Sequence, residues 1–105
     1  MSQHHIHVLL DETLAADIPF VLDIQNRLLS ALGTRVVAPV MARRRLATAV
    51  VQRLNPCTWI DGVEHVVVMQ QLFAIDSHAL GRSVVDMGAQ SHTIVAALDT
   101  LISGV

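Results

Sequence analysis

Lysine is missing from this chain: all seven basic residues are arginines, three of them in the run Arg43-Arg44-Arg45. With a formal net charge of -2, the chain lacks the broad basic footprint of a nucleic-acid binder. A three-residue run in an acidic domain reads as a solvated loop, so no direct nucleic-acid contact is expected. Long apolar runs are missing too. No stretch approaches the roughly 18 to 20 apolar residues a spanning helix needs, and Met1-Ser2-Gln3-His4-His5 lacks the basic and then apolar regions of a signal peptide. No membrane association is expected. Cysteine occurs once, as Cys57, which excludes an internal disulfide and fits a reducing, cytoplasmic setting. Glycine-rich phosphate loops and close carboxylate pairs are absent as well.

What is present is apolarity. Hydrophobic residues make up 52% of the 105 and charged residues only 15%, and the mean hydropathy is +0.52. A single domain of this length leaves much of its surface exposed, while soluble monomers rarely expose large apolar patches. An apolar subunit interface is therefore expected, most simply that of a two-fold homodimer.

The first two-thirds reads as short strands. Residues 4–10 alternate Ile6, Val8 and Leu10 against His5, His7 and Leu9, the period of a strand with one buried face. Residues 11–19 form a polar loop, and 20–24 and 35–40 are further strands. Pro39 cannot donate to a ladder, which places that strand at an edge or end. Leu46 to Leu54 predicts a short helical turn. The clearest hairpin spans 58–69, where Asp61-Gly62 supplies the positive φ of a tight primed turn. Leu72 to Ile75 predicts one more strand, and Ser77 to Val84 a connection turning at Gly81. From Met87 the period becomes helical, with Met87, Ile94, Val95, Leu98, Leu101 and Ile102 on one stripe. Asp86 or Gly88 is expected to cap its start and Gly104 to end it. The fold class is mainly β, barrel-like, with one long C-terminal helix.

Six histidines raise metal chemistry. His5 and His7 share one side of a strand and could hold zinc with a third ligand such as His65 or Asp11. The plainer reading is a pair of solvent-facing histidines, and no metal or cofactor is expected. Cys57 sits beside Pro56 and a strand of large residues, the setting of a buried, inert thiol. Ser91-His92 and Ser77-His78 diverge as sequence neighbours, so no nucleophile–base pair and no enzyme activity are expected. The stripe instead leads to a small apolar tip, Leu101-Ile102-Ser103-Gly104-Val105, which is easier to explain as a partner contact than as filler.

Several segments together resemble the CcdB family of bacterial toxins. They are Phe20-Val21-Leu22-Asp23-Ile24-Gln25, Arg35-Val36-Val37-Ala38-Pro39-Val40, Leu54-Asn55-Pro56, Ala79-Leu80-Gly81, Asp86, and Ile94 to Val105. Each is weak alone; their order and spacing are specific. The resemblance implies an SH3-like barrel with a small extra antiparallel sheet and a long C-terminal helix, spanning 1–105 as one domain. It implies a homodimer paired with a CcdA-like antitoxin, with transcriptional autoregulation. It further implies a toxin that binds the DNA gyrase A subunit and traps the cleaved gyrase–DNA complex, making no bond itself.

By that resemblance the gyrase-binding residues are Ser103, Gly104, Val105 and Asp99, joined by Leu28 and Leu29, which either line the same surface or pack in the core or dimer. This chain departs from the plasmid toxins at three places. Ser103 stands where they carry tryptophan, Asp99 where they carry asparagine, and Asp76 where the family usually has proline. A buried aromatic anchor commonly contributes at least about 2 kcal/mol, so its loss corresponds to roughly 30-fold in affinity. The alternative reading is therefore a non-toxic CcdB-like dimer that binds antitoxin and poisons gyrase weakly or not at all.

Overall fold

The computed structural model describes residues 3–104. Seven strands, β1 (His5–Leu9), β2 (Phe20–Asp23), β3 (Thr34–Ala42), β4 (Cys57–Ile60), β5 (Val63–Val67), β6 (Phe73–Asp76) and β7 (Leu80–Asp86), join in one antiparallel sheet. The order is β4-β5-β3-β2-β1-β7, with β6 paired to β3 off this path. A short helix α1 (Glu12–Ala15) lies in the loop after β1, where the Asp11 carboxylate accepts from Thr13 and Leu14 N–H as an N-cap. Helix α2 (Ser91–Ser103) follows β7.

Strand β3 organises the sheet. One edge pairs with β2, while the other is shared, β6 taking Thr34 to Val37 and β5 taking Val40 to Ala42. Pro39 thus lies mid-strand and fully buried, against the edge position its missing N–H predicts. Its carbonyl accepts from Val68 N–H at 2.8 Å, and a strand residue's N and O face the same way. The ring nitrogen therefore falls in the break between β6 and β5, where no ladder donor is needed.

Alternate residues of the central strands feed two cores. Ile6, Leu22, Ala38 and Val40 join Ile60, Val67, Met69, Met87, Ile94 and Ala97 on the inner face of the half-barrel. Leu9, Val21, Val37 and Ile75 form a second cluster on the other face. Strand β1 does not keep simple alternation, because its register with β7 shifts between Ile6 and His7 and again before Leu9. Leu9 and His7 are consequently buried and Leu10 is exposed.

The Asp61-Gly62 turn forms as expected, with φ of 51° and 77°, values that a type I′ hairpin requires at both positions. Leu46 to Leu54 is irregular except at its end, where Leu54 and Asn55 N–H both close on the Val51 carbonyl in a single turn; Asn55, buried, holds that turn by accepting from Val51 N–H and donating to the Val67 carbonyl and Gln70 Oε1. One segment differs from its sequence reading. Gly81 makes no turn but lies inside β7, where an added Cβ would meet the Val8 carbonyl oxygen at 2.8 Å. Glycine there permits the two backbones to approach.

The helix is fixed at its start by β1. His4, at φ 63°, donates its N–H to the Asp23 carbonyl, accepts from Met87 N–H, and places Nδ1 2.7 Å from Ser91 Oγ. Asp86 Oδ1 accepts from Gly88 N–H in the tight turn Gly88–Gln90, but the cap position of α2 is Gln90, not Asp86 or Gly88 as the sequence suggests. Ile94 and Ala97 are buried on the inner core, with Leu98 and Leu101 packed beside them. Val95 and Ile102, placed on the apolar stripe by sequence, are 47% and 79% exposed. The buried face therefore runs through Ile94, Ala97, Leu98 and Leu101, and Val95 and Ile102 fall beyond its edge.

Candidate functional site

The end of α2 is built to project. Gly104 takes the left-handed conformation, φ 76°, and its N–H closes on the Thr100 carbonyl at 3.0 Å, the geometry of a glycine-terminated helix. No atom lies within 4 Å of the place a Cβ would occupy. Ser103 is exposed, and its hydroxyl donates back to the Asp99 carbonyl at 2.7 Å. Asp99 is also exposed and lines two surface grooves along the helix, one shared with Gln52 and Arg53 and the other with Gly88 and Val95. Ser103, Gly104 and Asp99 thus sit together on the last turn. Val105 lies outside the described residues.

Leu28 and Leu29 occupy a different element, the tight turn Arg27–Leu29 after β2. Asn26 Oδ1 accepts from Leu28 N–H, Gln25 Nε2 donates to the Leu29 carbonyl, and Gln25 Oε1 accepts from Val36 N–H. Those bonds brace the turn against β3 and leave Leu28 84% and Leu29 50% exposed, which excludes core packing in the single chain. None of these bonds reaches α2. Sequence reasoning missed a further exposed aliphatic, Leu32 beside this turn, whose signal was an apolar residue in a polar loop; Ile102, read from sequence as part of the tip, is exposed on the helix end.

The chemistry-bearing residues are dispersed. His5 and His7 approach to 6.3 Å between ring centroids, but His5 Nδ1 bonds Ser83 Oγ and His7 Nδ1 bonds the Gly81 carbonyl. His65 Nδ1 bonds the Val63 carbonyl. Among the described residues no three His, Cys, Asp or Glu side chains gather as a metal site. Burial first, then the Glu64 charge, pushes the Cys57 thiol up, opposed by Arg43. A raised thiol is a weaker nucleophile at neutral pH because less of it is thiolate. Asp76, at the family's proline position, caps the turn Ser77–Ala79. The backbone N–H of His78 at 2.8 Å and its ring Nδ1 at 3.0 Å hold that carboxyl below its usual range.

A half-barrel closed by one helix, with exposed aliphatics at the helix end and on a braced turn, defines a small barrel module. Its fold is similar to that of the solved Mycobacterium tuberculosis toxin MazF-mt6, at TM-score 0.64 and 23% identity over 92% of this chain and 94% of that one. The chain belongs to the CcdB family, whose family model, described as CcdB protein, matches residues 3–104. No curated protein matches it.

Proposed function

We propose that this protein is the toxin of a type II toxin–antitoxin pair. In this reading it acts in the cytoplasm as a homodimer, binds the DNA gyrase A subunit and traps the cleaved gyrase–DNA complex. Family membership across 3–104 carries the toxin assignment. The projecting end of α2, with exposed Ile102, Ser103 and Gly104, supports the choice of contact surface. A protein that binds one conformation of an enzyme shifts the population toward it by differential affinity alone. Trapping therefore requires no catalytic group in the toxin. Leu28 and Leu29 add apolar area to the same binding event.

One observation favours the weaker, non-poisoning reading. Where the plasmid toxins carry tryptophan, the Ser103 side chain is folded back on its own helix, leaving Ile102 as the large apolar group at the tip. Purified protein, gyrase and supercoiled plasmid decide between them: a poison accumulates linear DNA, whereas a non-poisoning antitoxin binder leaves supercoiling intact at high concentration.

A further inference from the structure

The first turn of α2 is held from outside the helix. Gln90, at its cap position, makes no side-chain cap bond to the turn, and the turn carries no acidic residue to offset its exposed N–H groups. The Gln90 amide instead reaches the Cys57 carbonyl at 3.4 Å. The shorter tie is His4. Its ring Nδ1 lies 2.7 Å from Ser91 Oγ, its carbonyl accepts from Met87 N–H at 2.9 Å, and its own N–H donates to the Asp23 carbonyl at 2.7 Å. One residue thus joins the end of β2, the link from β7 and the start of α2. It does so in the left-handed conformation, φ 63°, which costs energy in a residue that carries a Cβ. The rest of the helix is lightly anchored, with Ile94 and Ala97 buried and Leu98 and Leu101 packed partly beside them.

Neutral imidazole suits this place and imidazolium does not. His4 is 7% exposed, so a charge on its ring is poorly solvated, and it would sit beside the positive end of the α2 dipole. Both nitrogens of imidazolium are donors, so one of them loses the lone pair that the neutral ring keeps. The other titratable groups on the elements that meet here are His5 on β1, Asp23 on β2, Asp86 on β7 and His92 on α2. Asp86 Oδ1 is engaged by Gly88 N–H at 2.8 Å and faces His5 Nε2 at 3.5 Å, and His92 is exposed. Burial is the larger influence and holds His4 below its ordinary value of 6.5, opposed by the Asp23 charge.

We propose that His4 is a proton-operated latch on α2: the neutral ring seats the first turn of the helix against the sheet, and proton uptake releases that turn while the sheet stays folded. The released ring meets water and regains its ordinary proton affinity. Release therefore grows as pH falls below 6.5 and levels off below the value of the seated ring. The latch concerns the seating of the helix and holds whichever partner the helix end meets.

The N–H groups of residues 95–98 bond carbonyls of the first turn, so they report its release. Amide hydrogen exchange of the whole chain, followed by mass spectrometry from about pH 7.5 to about pH 5 and corrected for the intrinsic rate, tests the latch. Peptides spanning 95–98 should lose protection by up to about tenfold per pH unit below 6.5, while those of β2 and β3 keep theirs. His4→Asn, which tolerates the positive φ, should remove that pH dependence from α2. Ser91→Ala keeps the histidine and removes its partner, so its α2 should exchange at neutral pH nearly as fast as in the acidified natural protein. That arm decides the matter should His4→Asn fail to fold. Loss of protection in helix and sheet together overturns the proposal, as does an α2 that exchanges alike across the range. The same pH dependence in His4→Asn, or full neutral-pH protection of α2 in Ser91→Ala, overturns it as well.

Discussion

Ile94→Ala and Ile102→Ala remove the same atoms from one helix, eight residues apart, into opposite surroundings. Ile94 is fully buried among the inner core residues, while Ile102 is 79% exposed. Truncating a buried isoleucine costs about 2–5 kcal/mol, lost transfer energy plus the cavity left behind. Against a total stability of about 5–15 kcal/mol for a domain, that is a large fraction. At roughly 4–8 °C per kcal/mol for chains near this size, Ile94→Ala should lower the melting temperature by roughly 8 to 40 °C. Ile102→Ala should stay within about 0.5 kcal/mol of the natural protein. Its effect should appear in gyrase poisoning, about tenfold weaker, or ~1.4 kcal/mol of binding. Calorimetry at fixed protein concentration gives the first quantity and plasmid linearisation the second; the concentration must be fixed because a dimer's stability depends on it. An Ile102→Ala melt as depressed as that of Ile94→Ala would refute the separation of tip from core.

Gly81→Ala should destabilise by about 1–3 kcal/mol, because its Cβ would sit 2.8 Å from a backbone oxygen that cannot swing away; a urea midpoint measures it. Asn55→Ala should cost about 1–3 kcal/mol, since it strands the Val67 carbonyl inside the fold, and proteolysis should then speed up between residues 46 and 54. Burial holds His4 below its ordinary value of 6.5, opposed by the Asp23 charge. The unfolded chain therefore takes up that proton first: stability from this group is complete above pH 6.5 and falls as pH drops toward the folded value. His4→Asn, which tolerates the positive φ, should flatten that part of the melting-temperature profile. Ser103→Trp should raise gyrase affinity by roughly 30-fold if an aromatic anchor is what the tip lacks.

Local chemistry made the β4–β5 hairpin and the helix readable in advance. Asp61-Gly62 admits one kind of turn, and aliphatics at 94, 98 and 101 admit one period. The errors came where tertiary context overrides a local rule. Ser77 to Val84 reads as a connection turning at Gly81, yet Leu80–Asp86 is β7 because the Gly81 position requires close backbone approach rather than chain reversal. Pro39 reads as an edge residue, but β3 changes partners at that point and leaves a gap for its missing N–H. The helix end was legible as an apolar contact tip from the residues alone, and its assignment to gyrase only through family resemblance. The exposure of its residues depends on which phase of α2 the sheet buries, and alanine at 97 gives little hydropathy signal for it. Asn55 is one of the residues that carry the resemblance, and in this chain it ties Val51, Val67 and Gln70 together.

The proposed action at gyrase is tested most directly by cleavage with the natural protein and with a variant lacking residues 103–105, at matched concentrations and with melts recorded for both. Linear plasmid should accumulate with the natural protein and not with the shortened one, at nearly equal melting temperatures. Full supercoiling in the presence of excess natural protein, or equal cleavage by the shortened form, would contradict it.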